Sequence, residues 1–337
     1  MPITLKEVAE RAGVSRSAVS RTFTQGASVS DKTREKVQKA ADELGYSPNA
    51  LASSLTTGRT KLIGLISNNF HNPLFLEVFD LFTRRLQDRG LRPLLVNLTD
   101  ETDPENSLRL LRQYSVDGVI VASSTLAPEF ALAFQQAGIP VVHSFGKAFP
   151  VPRVHVVGID NAACGRMAAE TLIARGYDRI AFLGGPPNAT STIDRRAGFF
   201  KAVQSHPNVT ATESFATAYS FDAGRAEMIA RLGAGPAQAY FCGDDVLSIG
   251  AMSAIREAGQ RVPEDIGIIG LNDMEMSRWQ NINLTTIRQP FREIIDSSID
   301  VVTAMLGTPD HMPRTQLLPC EIVERGTLRP LPQTSGL

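Results

Sequence analysis

From about residue 61 onward, short apolar runs alternate with amphipathic segments, and this alternation limits most of the chain to one fold class. The apolar runs have no polar side to turn toward water, which is typical of strands buried on both faces. Each run is followed by a segment with helical periodicity. Strands and helices in this order form parallel sheets that are covered on both faces. Because the alternation forms two series, we expect an α/β fold with two lobes of doubly wound parallel sheet.

The same patterns place the elements of each series on the chain. In the first series, strands are predicted at residues 62–67, 94–97, 118–122 and 140–145, and helices at 74–89, 105–114 and 128–137. In the second series, strands are predicted at 155–159, 179–183, 239–242 and 266–271, and helices at 162–175, 193–204, 222–232 and 245–258. A helix at 292–306 and a single strand at 315–324 supply the remaining elements.

The N-terminal residues follow a different pattern, which predicts two short helices joined by a tight turn. Apolar residues recur at helical spacing over residues 5–12, and Thr4 with Glu7 can form a capping box before them. Gly13 ends this helix, because glycine adopts the positive φ of a helix end at little cost. The chain therefore begins with a helix that stops sharply.

Ser15 can cap a second helix over residues 16–23, and the outer face of that helix is polar. Two arginines and two serines occupy this face, at Arg16, Ser17, Ser20 and Arg21. Guanidinium and hydroxyl groups contact base edges and phosphates in the major groove of DNA. The pattern thus favours a helix–turn–helix, with a helical hairpin whose polar face is merely solvated as the alternative.

A third helix is expected between a cap at Ser30 and a stop at Gly45, which completes a small helical domain over residues 1–46. Residues 47–60 then form a hinge and linker. Asn49 can cap a helix there, but the segment is too short for an isolated helix to be stable in water. It is either a plain linker or a helix that forms only when a partner holds it.

Residues 4–23, 29–37 and 44–55 together resemble the DNA-binding headpiece of the lactose-repressor (LacI/GalR) family. The resemblance implies a helix–turn–helix in the major groove and a hinge helix whose leucine enters the minor groove of operator DNA. We expect the hinge to be helical only in the operator complex. The residues that the resemblance assigns to DNA contact are Thr4, Ser15, Arg16, Ser17, Ser20, Arg21, Asn49, Ala52 and Leu55.

Residues 61–337 resemble the periplasmic-binding-protein-like core of the same family, which binds an effector and dimerises. In that fold the chain crosses three times between the lobes. The resemblance therefore implies one lobe at about residues 61–160 and 290–320, and a second at about 161–289 and 321–330.

The ends of the predicted strands indicate where an effector would bind. In open parallel sheets, ligands bind beyond the carboxyl ends of the strands, and in a two-lobed protein these ends face a common cleft. Amides, hydroxyls, an arginine and aromatic rings follow the strands, and such groups suit a polyhydroxylated ligand. Strand ends and resemblance together give as effector-binding residues Asn69, Phe70, Ser123, Ser124, Asp160, Arg195, Tyr219, Asp244, Asn272, Gln289 and Phe291. The strand-end rule also selects Ser144 and Phe145.

Asn272 departs from the family, which usually has aspartate at this position. An amide donates as well as accepts hydrogen bonds and removes a negative charge. With Arg195 near, a sugar acid or a sugar phosphate is as open a possibility as a neutral sugar. Asp160 could instead cap a helix or turn, and His143 on an apolar strand is typical of core packing.

Charge and cysteine content agree with an intracellular DNA-binding protein. Residues 1–60 hold nine Lys and Arg against six Asp and Glu, a net +3, whereas the other residues hold 25 against 29, a net −4. A positive N-terminal segment suits phosphate binding. The cysteines, Cys164, Cys242 and Cys320, are far apart in apolar surroundings, so we expect them to be reduced. No signal peptide, bilayer-spanning run, metal-ligand spacing or cofactor motif is recognisable, so we expect a cytoplasmic protein without metal or cofactor.

Three classes of function are compatible with a two-lobed cleft. An effector-responsive transcriptional regulator, most simply a repressor that binds a palindromic operator as a homodimer, accounts for both parts of the chain. A solute-binding protein for a sugar accounts only for the second part. An enzyme is the weakest alternative, because no catalytic triad order, nucleophile elbow, metal site or dinucleotide fingerprint is present.

Overall fold

The computed structural model describes residues 3–24, 26–49, 54, 58–68, 70–98, 104–307 and 312–332. The chain forms two compact units, Met1–Lys61 and Leu62–Leu337. In the part of the chain that is described, no helix is long and apolar enough to cross a membrane.

The first unit contains three helices, α1 (Leu5–Ala12), α2 (Arg16–Phe23) and α3 (Asp31–Leu44). Each begins with a hydroxyl that accepts from a backbone N–H three residues on, at Thr4, Ser15 and Ser30. The capping box expected at Thr4 is present.

A small apolar core joins these helices. Val8 of α1, Val19 of α2 and Val37 of α3 have no exposed surface, and smaller or half-buried apolar residues surround them. Gly13 and Gly45 end α1 and α3 in the left-handed conformation, each with φ of 65°. Ala52 and Leu55, on which the expected hinge helix depends, lie outside the described residues.

The second unit contains two six-stranded sheets. The first sheet has the strand order β11-β5-β4-β3-β1-β2, and all its strands are parallel. Its strands are β1 (Leu62–Ser67), β2 (Arg92–Asn97), β3 (Gly118–Ala122), β4 (Val141–Ser144), β5 (His155–Ile159) and β11 (Thr315–Leu318). Its helices are α4 (Leu74–Asp88), α5 (Pro104–Gln113), α6 (Pro128–Gln136) and α11 (Phe291–Gly307). We call these elements and their loops the first lobe.

The second sheet has the order β12-β10-β9-β8-β6-β7. Its strands are β6 (Arg179–Gly184), β7 (Thr210–Phe215), β8 (Ala239–Cys242), β9 (Gly267–Asn272), β10 (Thr286–Arg288) and β12 (Glu321–Val323). Its helices are α7 (Asn161–Ala174), α8 (Thr190–Val203), α9 (Phe221–Ala234) and α10 (Asp245–Glu257), with a 3₁₀ turn at Glu275–Arg278. We call these elements and their loops the second lobe. The two parallel-rich sheets confirm the predicted fold class.

The prediction of a single strand at 315–324 was wrong in one respect. The segment forms two strands, and they belong to different sheets. β11 pairs in parallel with β5 of the first sheet, whereas β12 pairs antiparallel with β10 of the second. Pro319 lies between them and has no N–H to donate to a ladder. The interruption lets the chain cross from one lobe to the other.

Two strands of the second sheet were not predicted. β7 lies at the edge of the sheet, and four of its six residues are polar, so it lacks an apolar run. β10 has only three residues. Helix α8 begins at Thr190, three residues before the predicted start. The prediction missed its first turn because Thr and Ser, which form that turn, have low intrinsic helix propensity.

Candidate functional site

A cavity lies between the two lobes of the second unit. Its lining comes from the carboxyl ends of strands and from the first turns of helices in both lobes. The first lobe contributes Leu74, Phe75, Val78, Ser124, Phe145 and Phe291. The second lobe contributes Arg195, Tyr219, Asp244, Asn272 and Gln289.

Arg195 is the cation of this cavity. It lies in the second turn of α8 and is only 3% exposed. Its Nε donates to Asn161 Oδ1 at 2.8 Å, and its Nη1 donates to the carbonyl of Gly243 at 2.5 Å. The third nitrogen, Nη2, has no hydrogen-bond partner among the described residues. Two neutral acceptors thus fix the guanidinium while one nitrogen stays available in the cavity.

Asp244 is the carboxylate of the cavity and caps α10 through Val246 N at 2.7 Å. It also accepts from the side-chain amides of Asn72 at 3.1 Å and Asn272 at 2.9 Å. Burial raises the pKa of Asp244 to about 6, although Val246 N, Arg195 and the two amides oppose the rise. The Asp244 carboxylate is therefore held by both lobes, because Asn72 belongs to the first and Asn272 to the second.

Asn272 extends this network toward the end of β10. Its amide nitrogen donates to Asp244, and its oxygen accepts from Gln289 Nε2 at 2.5 Å. The backbone of Asn272 has φ of 130°, a conformation that L residues rarely adopt. The polar side of the cavity is a chain of hydrogen bonds from Gln289 through Asn272 and Asp244 to Asn72.

Aromatic rings form another part of the cavity wall. Phe145 and Phe291 lie 5.9 Å apart between ring centroids. Tyr219 exchanges a hydrogen bond with Thr192 at 2.6 Å, and its ring lies against Gly185. A Cβ at Gly185 would lie 2.5 Å from that ring, so only glycine leaves room for it. The cavity thus offers flat apolar surfaces facing amides, a carboxylate and a guanidinium.

Seven of the expected effector-binding residues line the cavity, namely Ser124, Arg195, Tyr219, Asp244, Asn272, Gln289 and Phe291. Phe70 instead stacks on Phe79 at 4.6 Å. The hydroxyl of Ser123 donates to Asn68, and Asp160 caps α7 by accepting from Ala163 N at 2.8 Å. Asn69 lies outside the described residues.

The cavity also contains residues that sequence reasoning did not assign. Leu74, Phe75 and Val78 of α4 line it, and Phe145, selected only by the strand-end rule, does as well. Asn161, also not assigned, accepts from Arg195, whereas Asn72, which donates to Asp244, lies in the segment 68–73 that the strand-end rule does select. Ser144 donates to Ser298 away from the cavity. His143 is a core residue, as interpreted, and burial lowers its pKa to about 4.

In the first unit, α2 presents the expected polar face. Arg16, Ser17 and Arg21 are exposed, and Ser20 is half-buried. Ser15 and Ser17 share a hydrogen bond of 2.9 Å between their hydroxyls. Neither arginine makes an ion pair with a residue that the structure describes. No group of His, Cys, Asp and Glu in the described ranges could hold a metal ion.

Comparison with known proteins gives the family. Residues 4–49 match the family of bacterial regulatory proteins, lacI family, and residues 169–328 match a periplasmic binding protein-like domain. The HTH-type transcriptional repressor PurR of Vibrio atlanticus (strain LGP32) is 32% identical over 97% of this chain and 99% of its own length. The HTH-type transcriptional regulator CelR of Thermobifida fusca is 31% identical over 91% of this chain and 94% of its own.

Solved structures agree. A lac repressor dimer bound to operator and the anti-inducer ONPF has a TM-score of 0.85 at 30% identity, covering 97% of this chain and 99% of that one. A CelR–cellobiose complex has a TM-score of 0.71 at 28% identity, covering 96% and 99%. The chain therefore belongs to the lacI family of bacterial regulatory proteins, as a DNA-binding transcriptional regulator and not an enzyme.

Proposed function

We propose that this chain is a cytoplasmic transcriptional repressor that binds a palindromic operator as a homodimer, under the control of a small polar effector in the interlobe cavity. The observation that carries the proposal is the environment of Arg195. Its charge is buried, its two fixed bonds go to neutral acceptors, and Nη2 has no partner among the described residues. A buried donor without an acceptor is costly, even though the Asp244 carboxylate lies close enough to interact with the charge of Arg195. A ligand that reaches Nη2 would relieve that cost.

The proposed effector is a sugar, a sugar acid or a sugar phosphate. The amides of Asn272 and Gln289 can pair with hydroxyls, and the rings of Phe145 and Phe291 can cover the apolar face of a sugar. A relative of the same fold was solved with cellobiose. Because Asn272 is an amide, an acidic group near Arg195 would meet the single carboxylate of Asp244 and not two. The proposed contacts are the seven expected residues that line the cavity, together with Phe75 and Phe145.

The proposed DNA contacts lie in the first unit. Arg16, Ser17 and Arg21 are exposed on α2, where they could reach bases and phosphates, with Thr4, Ser15 and Ser20 beside them. Asn49, Ala52 and Leu55 stay the proposed hinge contacts in the minor groove. A lac repressor relative was solved as a dimer on its operator.

Exposed apolar residues support the homodimer. Leu76 on α4 is 74% exposed, and Leu95 on the edge strand β2 is 49% exposed. Large exposed apolar side chains commonly mark surfaces that a partner covers. A second copy of the chain would remove both side chains from water.

A thermal-shift screen with Arg195→Ala tests the effector site. Glucose, gluconate and glucose 6-phosphate, followed by wider sets of sugars and sugar acids, are added to the intact protein. We expect at least one compound to stabilise it by mass action, about 2.7 kcal/mol when its concentration is 100 times Kd. Arg195→Ala should lose that stabilisation, because the fixed guanidinium is gone.

Arg196→Ala is the matched control. Arg196 is adjacent on the same helix but pairs with Glu213 inside the second lobe and does not line the cavity. This variant should respond to the compound as the unmodified protein does. Stabilisation that persists in Arg195→Ala would place the ligand elsewhere.

A further inference from the structure

We infer that the ion pair between Lys147 and Asp194 is a clasp that joins the two lobes and sets how often the cleft between them opens. Lys147 Nζ lies 2.7 Å from Asp194 Oδ1, and both side chains are 26% exposed. Lys147 follows β4 in the first lobe, and Asp194 lies on α8 in the second. Among the described residues, this is the one ion pair that joins the two lobes.

The first turns of α8 make two more bonds to the first lobe. Thr190 Oγ1 donates to the carbonyl of Ser124 at 2.9 Å, and Ser191 N donates to the same carbonyl at 3.2 Å. The bonds and the ion pair therefore lie within two turns of one helix. On the far side of the cavity, Asn72 donates to Asp244, and Glu275 N donates to Glu77, again from lobe to lobe.

Both residues of the clasp are close in sequence to residues that line the cavity. Asp194 immediately precedes Arg195, and Lys147 lies two residues after Phe145. Neither Lys147 nor Asp194 lines the cavity. The pair can thus favour the closed arrangement without contacting a ligand. Its influence on the effector response rests on the function proposed above, whereas its effect on the opening of the cleft does not.

The amide of Ser191 reports closure directly. It is at the second position of α8, where a backbone N–H has no acceptor within its own helix. The acceptor that protects it is the carbonyl of Ser124 in the other lobe. Opening of the cleft exposes this amide to solvent while the amides inside α8 stay bonded. Its hydrogen exchange therefore measures the opening equilibrium.

The test is hydrogen–deuterium exchange of the intact protein without effector or DNA, with overlapping peptides that isolate Ser191. In the unmodified protein, Ser191 should exchange well below its intrinsic rate. Lys147→Ala and Asp194→Asn should each raise its exchange roughly two- to fivefold, the range that corresponds to a partly exposed ion pair. The double variant should raise it no further, because both changes remove the same interaction.

Two further arms separate the clasp from general loosening. The charge-swapped variant Lys147→Asp/Asp194→Lys should return exchange toward the unmodified value, and high salt should reduce the difference between single variants and unmodified protein. Arg196→Ala breaks an ion pair of the same helix inside the second lobe, so it should leave Ser191 unchanged.

Exchange of Ser191 at its intrinsic rate in the unmodified protein would overturn the contact of this amide with the first lobe, and with it the clasp. Exchange that is the same in Lys147→Ala, Asp194→Asn and unmodified protein would overturn the clasp. A rise in Ser191 exchange in Arg196→Ala that equals the rise in the clasp variants would also overturn the clasp. Because no effector is present, failure here is distinct from failure of the proposed effector site, which the thermal-shift screen measures.

Discussion

Asp244 shows how one residue can connect both lobes to the ligand cavity. The residue is 5% exposed, and its carboxylate accepts a cap bond from Val246 N and amide bonds from Asn72 and Asn272. These bonds favour the charged form, but burial outweighs them and the pKa rises to about 6. An effector hydroxyl that bonds Oδ2 of Asp244 would share that oxygen with Asn72 of the first lobe and Asn272 of the second.

This raised pKa predicts a specific dependence of stability on pH. Below the ordinary value of 3.8 both folded and unfolded protein hold the proton on Asp244, whereas between 3.8 and about 6 only the folded protein does. The contribution of Asp244 to the free energy of unfolding is therefore lost as pH rises through this window, on the order of 3 kcal/mol. Denaturant unfolding from pH 4 to pH 7 should show a steeper decline for the unmodified protein than for Asp244→Asn. Parallel profiles would contradict the raised pKa.

The strand-end rule found those cavity residues that follow strands, such as Ser124, Asp244 and Asn272. It did not find Leu74, Phe75 and Val78, because they lie on a helix and their apolar spacing is the same whether they face a sheet or a cavity. Asn161 was also not assigned. It lies at the start of α7 and acts only by holding Arg195, a contact between residues 34 positions apart that periodicity does not reveal.

At the scale of elements, α8 is the part of the second lobe on which the site depends. It carries Arg195 into the cavity, and its position is fixed by very close packing against α7. A Cβ at Gly198 of α8 would lie 1.8 Å from the carbonyl oxygen of Ala162, and one at Gly165 of α7 would lie 1.9 Å from the carbonyl oxygen of Arg195. The obstacles are backbone atoms, so the helices could accept a methyl group only by moving apart.

Gly198→Ala should consequently destabilise the protein and disturb the site together. Overpacking of a tight contact typically costs about 1–3 kcal/mol. Since Gly198 is one turn after Arg195, separation of the helices should also weaken effector-induced stabilisation. Both effects can be measured by denaturant unfolding with and without the compound found in the thermal-shift screen.

Gly233→Ala is the matched control, because Gly233 is also helical but a Cβ there meets nothing within 4 Å. It should stabilise the protein by about 0.4–1 kcal/mol through the smaller entropy of the unfolded chain. An equal loss of stability in both variants would show that the close packing of α7 and α8 is not the cause.

Most elements could be predicted because their apolar runs are buried on both faces, as in β1 and β3. Prediction failed where pairing depends on distant strands. β7 is polar on its exposed positions and is recognisable only by its partner β6, and β11 and β12 read as one strand although they belong to different sheets. The close contact of α7 with α8 could not be predicted from the sequence either, because small residues leave no periodic apolar signal.

At the scale of the whole molecule, a DNA-binding unit of three helices is joined in one chain to a two-lobed unit with a ligand cavity. If an effector favours one arrangement of the lobes and that arrangement changes DNA affinity, the two bindings must be coupled reciprocally. The clasp inferred at Lys147 and Asp194 would then bias the equilibrium between the two arrangements toward the one in which the lobes are joined.

Coupling between the cavity and DNA binding is measured by the operator affinity of the intact protein with and without effector. A duplex selected from genomic DNA by the protein itself is titrated by fluorescence anisotropy at fixed salt, because affinity for DNA depends strongly on salt. We expect the effector to change the operator Kd of the unmodified protein by roughly 5- to 150-fold. Arg195→Ala should bind the same duplex equally well and not respond. An operator Kd of the unmodified protein that is the same with and without effector would contradict coupling between the cavity and DNA binding. A normal response of Arg195→Ala would contradict the role of Arg195 in effector binding.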